Sequence, residues 1–436
     1  MNKKVLSNIK WQLVSQVFNI AAGIASSIIV TRYLGKNDYG IYSYARAYAA
    51  IFTSIAAIGL EGILISRLAT EDGEALYFGT GFVLRCLSDL IAFFACLISF
   101  CFIGDKQSFI PLLIVSIPIL FQCFETYRYL YIARYKAKEY LIIQNLSLVI
   151  MLAMYAAGIV MNLGLLYFSL VYAIRMIMTY LSGLIAYHIH IKKKIEFKIY
   201  KDKMKELMIV CMPLAFASIA STVYNRVDQI MVTKICGYEE NGLYSVAVTL
   251  SEYWYFVPGI IASTLLPSLT IAYKRSKEEY VHKMQMMIDI LSTISYMAVI
   301  ALALFGKYII GIMYGKEYIE AAPIMSLYVV SGIFVSLWHA RGITCNITGK
   351  TTLTLYCTVI GMIANVILNY IFIKRIGLYG AAFATIAAQM LSSWLGSFLY
   401  KDFWYVGIIQ TKGLFPFIRI IRNRKYMNLR AVLKKN

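Results

Sequence analysis

Charged residues are scarce in this sequence: they make up 15% of its 436 residues, whereas a soluble domain carries about a quarter. Hydrophobic residues make up 60%, and the mean hydropathy is +0.68. Apolar runs of about 20 residues, the length that a helix needs to cross a bilayer, recur along the whole chain. The shortage of charge therefore excludes a soluble domain, and the composition predicts an all-α polytopic membrane protein.

The positions of the cysteines indicate neither a set of disulfide bonds nor a metal-binding site. The chain has eight cysteines, most of them lie within the apolar runs, and none shows the spacing of metal ligands. We therefore predict neither a disulfide framework nor a metal site.

Basic residues are distributed unevenly about twelve predicted transmembrane helices. With both termini in the cytoplasm, the loops and flanks on that side carry 28 Lys and Arg residues and those on the opposite side carry eight. The positive-inside rule predicts this asymmetry. The net charge of +20 is then explained by topology and by attraction to anionic membrane lipids, so no nucleic-acid partner is expected. The predicted spans are 11–30, 41–66, 79–103, 109–132, 141–161, 165–187, 207–235, 242–271, 286–306, 321–346, 352–373 and 379–400.

One short segment occurs twice. VTRYLGKNDYGIYS at Val30–Ser43 and VTKICGYEENGLYS at Val232–Ser245 share six of fourteen positions without a gap. They connect spans 1 and 2 and spans 7 and 8. Because six spans separate the copies, both halves run in the same direction, as in transporters built from parallel repeats. The sequence thus predicts two parallel six-helix repeats around a central cavity.

The repeat and the charges divide the chain into four parts. We predict a six-helix N-terminal half at 1–191, a basic cytoplasmic linker at 192–206, a six-helix C-terminal half at 207–405 and a basic cytoplasmic tail at 406–436. The tail is interpreted either as a helix on the inner membrane surface or as a disordered segment. The lysines of the linker region are Lys192, Lys193, Lys194, Lys198, Lys201, Lys203 and Lys205.

Ionisable residues within spans are costly, at about 2.5–3.5 kcal/mol each on insertion scales, and usually face the bundle interior. Arg85 and Asp89 are four residues apart, and Glu125 and Arg128 are three apart, so each pair can meet on one helical face. We predict that these two pairs are structural. The arginines within spans are Arg46, Arg85, Arg128, Arg175, Arg226 and Arg341, and the candidate acidic partners are Asp89, Glu125, Asp228 and Glu252, with Glu61 nearer a membrane edge.

Four of the arginines are candidates for a substrate-binding cavity. Arg226 cannot face Asp228, because two positions correspond to about 200° around a helix. No carboxylate lies within one turn of Arg46 or of Arg175 on its own span. Structural pairing is the alternative for these residues. The cavity candidates are Arg46, Arg175, Arg226 and Arg341, while Asp228 and Glu252 are candidates for a coupling-ion site or for counter-charge to the arginines.

The doubled segment, together with YNRVDQIMVTKICG…NGLYS at Tyr224–Ser245 and the stretch Asn346–Gln389, resembles the bacterial polysaccharide exporters, in particular O-antigen flippases of the Wzx type. These belong to the multidrug/oligosaccharidyl-lipid/polysaccharide exporter superfamily. The resemblance implies a multi-pass protein of the bacterial inner membrane, with both termini cytoplasmic. It also implies a flippase that moves an undecaprenyl-pyrophosphate-linked oligosaccharide to the outer leaflet by alternating access.

The same resemblance implies no cofactor, and coupling to a proton or sodium gradient is left open. Its implied partners are the polyprenyl-pyrophosphate-linked oligosaccharide, membrane lipids, and a polysaccharide polymerase with a chain-length regulator. For pyrophosphate, arginine offers a permanent charge and a fork of donors that matches phosphate oxygens.

Two other functions compete with this interpretation. A cation-coupled drug exporter of the same superfamily would favour a cavity dominated by carboxylates, but the arginines within spans outnumber the acidic residues. A membrane polysaccharide polymerase or ligase would need a sizeable outward loop with catalytic residues. The predicted outward loops are short and no acid–base constellation appears, so we predict no catalytic residue and a protein that is not an enzyme.

Overall fold

The computed structural model describes residues 3–70, 72–103, 105–190 and 197–422. In these ranges every regular element is a helix, which confirms the all-α class. Lys192, Lys193 and Lys194 of the predicted linker, and residues 423–436 of the predicted tail, lie outside the described residues.

The chain forms two compact units, Met1–Ile230 and Met231–Asn436. The boundary falls inside the long helix Lys201–Cys236 rather than in the predicted linker at 192–206. The predicted domain limits therefore differ from this division and stay predictions.

Unit 1 is built from long helices that are broken at a few points. Its 3-10 segment, Ile117–Phe124, joins two shorter helices. The helices of this unit are α1 (Lys3–Ala57), α2 (Leu60–Leu68), α3 (Gly73–Ile103), α4 (Lys106–Ser116), α5 (Glu125–Ala133), α6 (Ala137–Val160), α7 (Leu165–His190) and the part of α8 (Lys201–Cys236) up to Ile230.

Unit 2 has the same style of construction and ends in two short helices. A π-helical turn, Met390–Trp394, follows α15. The helices are α9 (Tyr238–Glu252), α10 (Phe256–Arg275), α11 (Lys277–Met313), α12 (Ala321–Tyr328), α13 (Ser331–Thr348), α14 (Thr351–Ile376), α15 (Leu378–Gln389), α16 (Trp404–Gly413) and α17 (Pro416–Arg422).

α3 shows how these helices divide their faces. Large apolar side chains on one face are exposed, at Ile91, Phe94, Ile98 and Phe102. Arg85, Asp89, Ala92, Cys96 and Phe100 on the opposite face are buried. Both sets follow the three- or four-residue spacing of a helix. A helix with an apolar outer face and charged residues inside is suited to a lipid surrounding.

The doubled segment contains a glycine with the same backbone geometry in both copies. Gly35 has φ 71° and ψ 175°, and Gly237 has φ 103° and ψ 177°. A residue with a side chain rarely adopts such φ values. Glycine at these positions therefore lets two successive helical segments change direction, at 3–34 and 36–57 in the first copy and at α8 and α9 in the second.

Ten helices of the described residues are long and apolar enough to cross a membrane, or eleven if the bent pair Leu378–Phe398 and Lys401–Gly413 counts as one span. One of them, Trp11–Leu68, has 58 residues, whereas a span needs about 20. Gly35 divides this helix where the sequence predicts a loop between spans 1 and 2. If this helix counts as two spans and the bent pair as one, the total is twelve. This number stays a prediction, as does the arrangement in two repeats.

The beginning of the predicted tail is packed against unit 2. Val406 is fully buried, and Tyr296 of α11 donates to the carbonyl of Leu414 at 2.8 Å. Arg419 of α17 holds the buried carboxylate of Asp289 through two hydrogen bonds of 2.7 and 2.5 Å. Residues 404–419 thus form a C-terminal strap that packs across the N-terminal part of α11. Neither interpretation of the tail predicted this packing.

Candidate functional site

Unit 1 contains a cavity of about 650 Å³. Helices α1, α2, α3, α5, α7 and α8 and the 3-10 segment contribute to its wall. The charged residues of the lining are two arginines, Arg85 and Arg226, and two glutamates, Glu61 and Glu125. Their formal charges cancel, so the cavity is polar without a net charge.

A break between α1 and α2 shapes one wall of this cavity. Ile58 and Gly59 have φ values of 47° and 62°, so the chain turns through the left-handed region between the two helices. A side chain at position 59 would bring its Cβ to 2.7 Å from the Cβ of Leu214, and only glycine fits there. The break leaves the last carbonyl groups of α1 without helical partners, and Arg85 Nη1 donates to one of them, that of Ala57, at 2.8 Å.

Five charged side chains form a continuous network beside the cavity. Arg85 lies 2.9 Å from Glu125 and 3.7 Å from Asp89. Arg128 lies 3.2 Å from Glu125 and 3.1 Å from Glu61. The two pairs that the spacing suggests are both in contact, and the contact of Arg85 with Glu125 on another helix is shorter than that with Asp89 on its own. The interpretation of these residues as structural stays a prediction.

Neutral groups complete the network. Gln122 accepts a hydrogen bond from Arg85 Nη2 at 2.8 Å, and Asp89 accepts one from the backbone N–H of Cys123 at 2.6 Å. Both terminal nitrogens of Arg85 are therefore occupied by protein groups. Gln122 is uncharged, so the pattern of ionisable residues within spans does not reveal it, although an amide within an apolar run is a visible signal.

Arg46 is held in a different way. Its guanidinium lies over the rings of Tyr42 and Tyr172, 5.2 and 4.8 Å from their centroids, and its side chain is exposed. Tyr42 is fixed in turn by a 3.2 Å hydrogen bond to the hydroxyl of Tyr155. No carboxylate among the described residues pairs with Arg46. Its positive charge is therefore accessible and is not neutralised within the part of the chain that the structure covers.

The other two cavity candidates of unit 1 have different surroundings. Arg175 is half-buried, its Nη1 contacts Met176 Sδ at 3.7 Å, and its buried Nε finds no hydrogen-bond partner in the described residues. Arg226 is half-buried and lines the cavity beside Asn225. The structure thus places Arg226, but not Arg175, in the cavity wall.

Arg341 of unit 2 is completely enclosed. Its side chain is fully buried, and Nη1 donates to the carbonyl of Ser392, which lies in the π-helical turn. A Cβ at Gly396 would come within 3.0 Å of the same nitrogen. This geometry does not support the predicted contact of Arg341 with substrate. The guanidinium instead satisfies a carbonyl of the irregular turn, where the regular helical hydrogen bonds are interrupted.

The two candidates for ion coupling or counter-charge lie in different units. Asp228 is buried in unit 1 and accepts a 2.8 Å hydrogen bond from the backbone N–H of Gln229. Glu252 belongs to unit 2, where the hydroxyl of Tyr328 donates to it at 3.1 Å. Their roles stay predictions.

Three polar residues inside unit 2 were missed. Asp289 lies within the predicted span 286–306. It is therefore an acidic residue within a span, like the acidic candidates, although it was not among them. Asn365 and Asn369 of α14 are fully buried and bonded to each other at 2.9 Å. Asn365 and Asn369 are uncharged, so the pattern of charged residues within spans does not single them out.

A family model described as polysaccharide biosynthesis protein matches residues 8–323. The chain belongs to this family. The resemblance drawn from the doubled segment is therefore confirmed at the level of the polysaccharide biosynthesis family. The capsular polysaccharide biosynthesis protein CapF of Staphylococcus aureus is 22% identical over 412 residues, which cover 91% of this chain and 99% of the relative.

Solved structures of two membrane transport proteins share the fold. An inward-facing multidrug resistance MATE family transporter matches with a TM-score of 0.70 and 13% identity, over 91% of this chain and 95% of its own. The lipid II flippase MurJ, in an inward closed conformation, matches with a TM-score of 0.67 and 16% identity, over 97% and 96%. At these identities the likeness concerns the fold, which is that of a polytopic helical membrane protein.

Proposed function

We propose that this protein is a flippase for a polyprenyl-pyrophosphate-linked oligosaccharide, the repeat unit of an O-antigen or a similar surface polysaccharide. It moves this lipid from the cytoplasmic to the outer leaflet of a bacterial inner membrane by alternating access of its two halves. Membership of the polysaccharide biosynthesis family supports the type of cargo. The names of CapF and the lipid II flippase MurJ agree with it.

The observation that carries the proposal is the accessible charge of Arg46. A pyrophosphate that crosses the hydrocarbon layer loses its water, and burying an unpaired charge costs many kcal/mol. A guanidinium with free donors replaces that water with a fork that fits phosphate oxygens. Arg46 has such donors because aromatic rings, rather than a carboxylate, hold it in place. Arg175 lies one turn from Tyr172 on the same helix and adds a second positive charge to this region.

The drug-exporter alternative has the fold of the MATE transporter in its favour. A cationic drug, however, needs a carboxylate that is free to receive it. In unit 1 the carboxylates of Glu61, Asp89 and Glu125 already pair with Arg85 or Arg128. This charge arrangement favours an anionic cargo.

The proposal includes both termini in the cytoplasm, no catalytic residue and no cofactor. Coupling to a proton or sodium gradient through Asp228 or Glu252, and cooperation with a polymerase and a chain-length regulator, remain expectations of the same proposal.

Deletion of the gene tests the proposed function. Cells without the protein should accumulate the lipid-linked repeat unit in the inner leaflet and lose the surface polymer, and a plasmid copy should restore export. Normal surface polymer in a deletion strain that has no related exporter would overturn the proposal.

A further inference from the structure

The cavity of unit 1 offers hydrogen-bonding groups that the protein itself does not use. Asn225 and Tyr180 line it, and neither side chain makes a hydrogen bond to any described residue. The hydroxyl groups of Ser54, Thr179 and Thr222 also line the wall. Each donates to a carbonyl of its own helix, and its oxygen can still accept a hydrogen bond from a ligand. The volume of about 650 Å³ lies within the range of about 300–1,000 Å³ that is common for small-molecule pockets.

The charges of this cavity make it unsuited to a pyrophosphate. Its two arginines face two glutamates in the lining, so a doubly negative group would find no net positive charge. Arg85 donates to Ala57, Gln122 and Glu125 with its two terminal nitrogens, which leaves no free fork. A neutral ligand rich in hydroxyl groups would find both donors and acceptors.

Arg46 lies next to this cavity, and Arg46 and Tyr172 belong to the two helices α1 and α7 that also form part of the cavity wall. Ala50 of α1 and Met176 of α7 belong to the cavity wall, and Arg46 and Tyr172 precede them by four residues. Four residues correspond to one turn, or about 6 Å along the helix axis. Unit 1 therefore presents an accessible positive charge and, about one turn away, a polar cavity without net charge.

We infer that the cavity of unit 1 binds the saccharide of the lipid-linked substrate while Arg46 binds its pyrophosphate. Tyr180, Thr222 and Asn225 are then specificity-determining residues that contact sugar hydroxyl groups. This inference rests on the proposed function and adds the division of the substrate between two neighbouring subsites.

Binding of two lipids to the purified full-length protein tests the inference. One probe is undecaprenyl pyrophosphate, and the other is the same lipid with its repeat unit, extracted from the deletion strain. The test variant is Thr222→Val/Asn225→Ala. Asn225 is exposed and valine has nearly the shape of threonine, so the fold should be retained. Thr222→Ser, which keeps the hydroxyl, is the matched control.

The double variant should weaken binding of the lipid-linked repeat unit about thirtyfold, since two hydrogen bonds of about 1 kcal/mol each are lost and about 1.4 kcal/mol corresponds to tenfold, and it should leave binding of the bare lipid unchanged. Arg46→Ala should weaken both lipids by the same factor. Equal weakening of both lipids by the double variant, or no weakening of either, would overturn the inference. If the wild-type protein binds neither lipid, it is the proposed function that fails. If the double variant is poorly folded, Asn225→Ala alone must show a selective loss of about fivefold, which corresponds to one hydrogen bond, and unchanged binding of both lipids would again refute the inference.

Discussion

At the level of single residues, the arginines of unit 1 differ in what holds their guanidinium groups. Arg85 and Arg128 pair with carboxylates on neighbouring helices, while Arg46 lies between two tyrosine rings. A guanidinium over an aromatic ring is held by electrostatic attraction to the ring face. Its N–H groups therefore stay available as hydrogen-bond donors, whereas a carboxylate partner would accept two of them. The first two arginines are therefore suited to holding helices together, and the third to receiving an anion.

Replacement of Arg46 tests this difference. Arg46→Ala should reduce export of the surface polymer at least tenfold while the amount of protein in the membrane stays near normal. Arg46→Lys should restore only part of the activity, since a point charge lacks the two-pronged donor geometry. Surface polymer measured against membrane protein abundance gives the result. Tyr172→Phe keeps the ring and should retain most of the export, whereas Tyr172→Leu should not. Full export by Arg46→Ala would remove this residue from the substrate path.

Replacement of Arg85 should affect the fold instead. Arg85→Ala leaves the buried Asp89 without its cation, while Glu125 keeps Arg128 as a partner. Loss of one partner of a buried pair costs about 3–5 kcal/mol, so we expect a lower melting temperature and a lower protein level. Arg85→Ala/Asp89→Asn removes the orphaned charge but keeps an acceptor for Cys123, and should recover part of the loss. A single variant as stable as the wild type would show that the network is not structural.

The sequence predicted part of this arrangement. Three- and four-residue spacing was sufficient to predict the contacts Arg85–Asp89 and Glu125–Arg128, because that geometry is local to one helix. The link between Arg85 and Glu125, and the position of Arg46 over Tyr172, join residues on separate helices. Spacing along the chain carries no information about such distances, and a buried arginine without a carboxylate nearby, such as Arg341, looks the same in sequence as one that lines a cavity.

At the level of elements, the C-terminal strap supplies hydrogen-bond partners for buried polar side chains in the N-terminal part of α11. Gln285 donates to the carbonyl of Ile409 at 3.2 Å and to Asp289 at 2.9 Å. Arg419 completes the set with its paired hydrogen bonds to Asp289. Without residues 404–419 the buried carboxylate of Asp289 would keep its hydrogen bond with Gln285 but would lose its cation, and loss of one partner of a buried ion pair is costly. The strap is therefore part of the fold of unit 2.

Removal of the charge on the strap should destabilise unit 2. Arg419→Ala leaves Asp289 buried and unpaired, and we expect a loss of about 3 kcal/mol, at the lower end of the range for buried pairs, because Arg419 is 25% exposed. Lys412→Ala, at an exposed position of the same strap, is the matched control and should change stability little. Thermal unfolding in detergent measures both. Arg419→Ala/Asp289→Asn should lose less than Arg419→Ala alone; a loss as large as that of the single variant would contradict the pairing.

The elements themselves were largely predictable and their breaks were not. The twelve predicted spans lie in largely helical parts of the described residues, because an apolar run of about 20 residues is a strong signal, while their number stays a prediction. The break at Ile58 and Gly59 occurs inside the predicted span 41–66, since the steric need for glycine there comes from α8, far away in sequence. The tail was predicted as a helix on the inner membrane surface or as a disordered segment because its basic residues suggested lipid, and the pattern of the tail alone does not reveal its partner Asp289.

At the level of the whole molecule, the charge asymmetry predicts an orientation that reporters can test. Twelve spans with both termini inside place the linker and the C-terminus on the cytoplasmic side. Fusions of alkaline phosphatase and of green fluorescent protein after Lys203 and at the C-terminus should all report cytoplasm. Fusions at Gly237 should report the opposite side and serve as the control. An external signal from either of the first two sites would contradict the parallel arrangement of the halves.

The strap also has a consequence for the order in which the chain is made. Asp289 and Arg419 are 130 residues apart, so at about 5–20 residues per second the ribosome adds the arginine roughly ten seconds after the aspartate. During this interval α11 is already apolar enough to enter the membrane, while its carboxylate has no cation to neutralise it. Chains that end before Arg419 keep this acid without its cation, and we expect them to be less stable than complete chains, because a buried charge without a partner is costly.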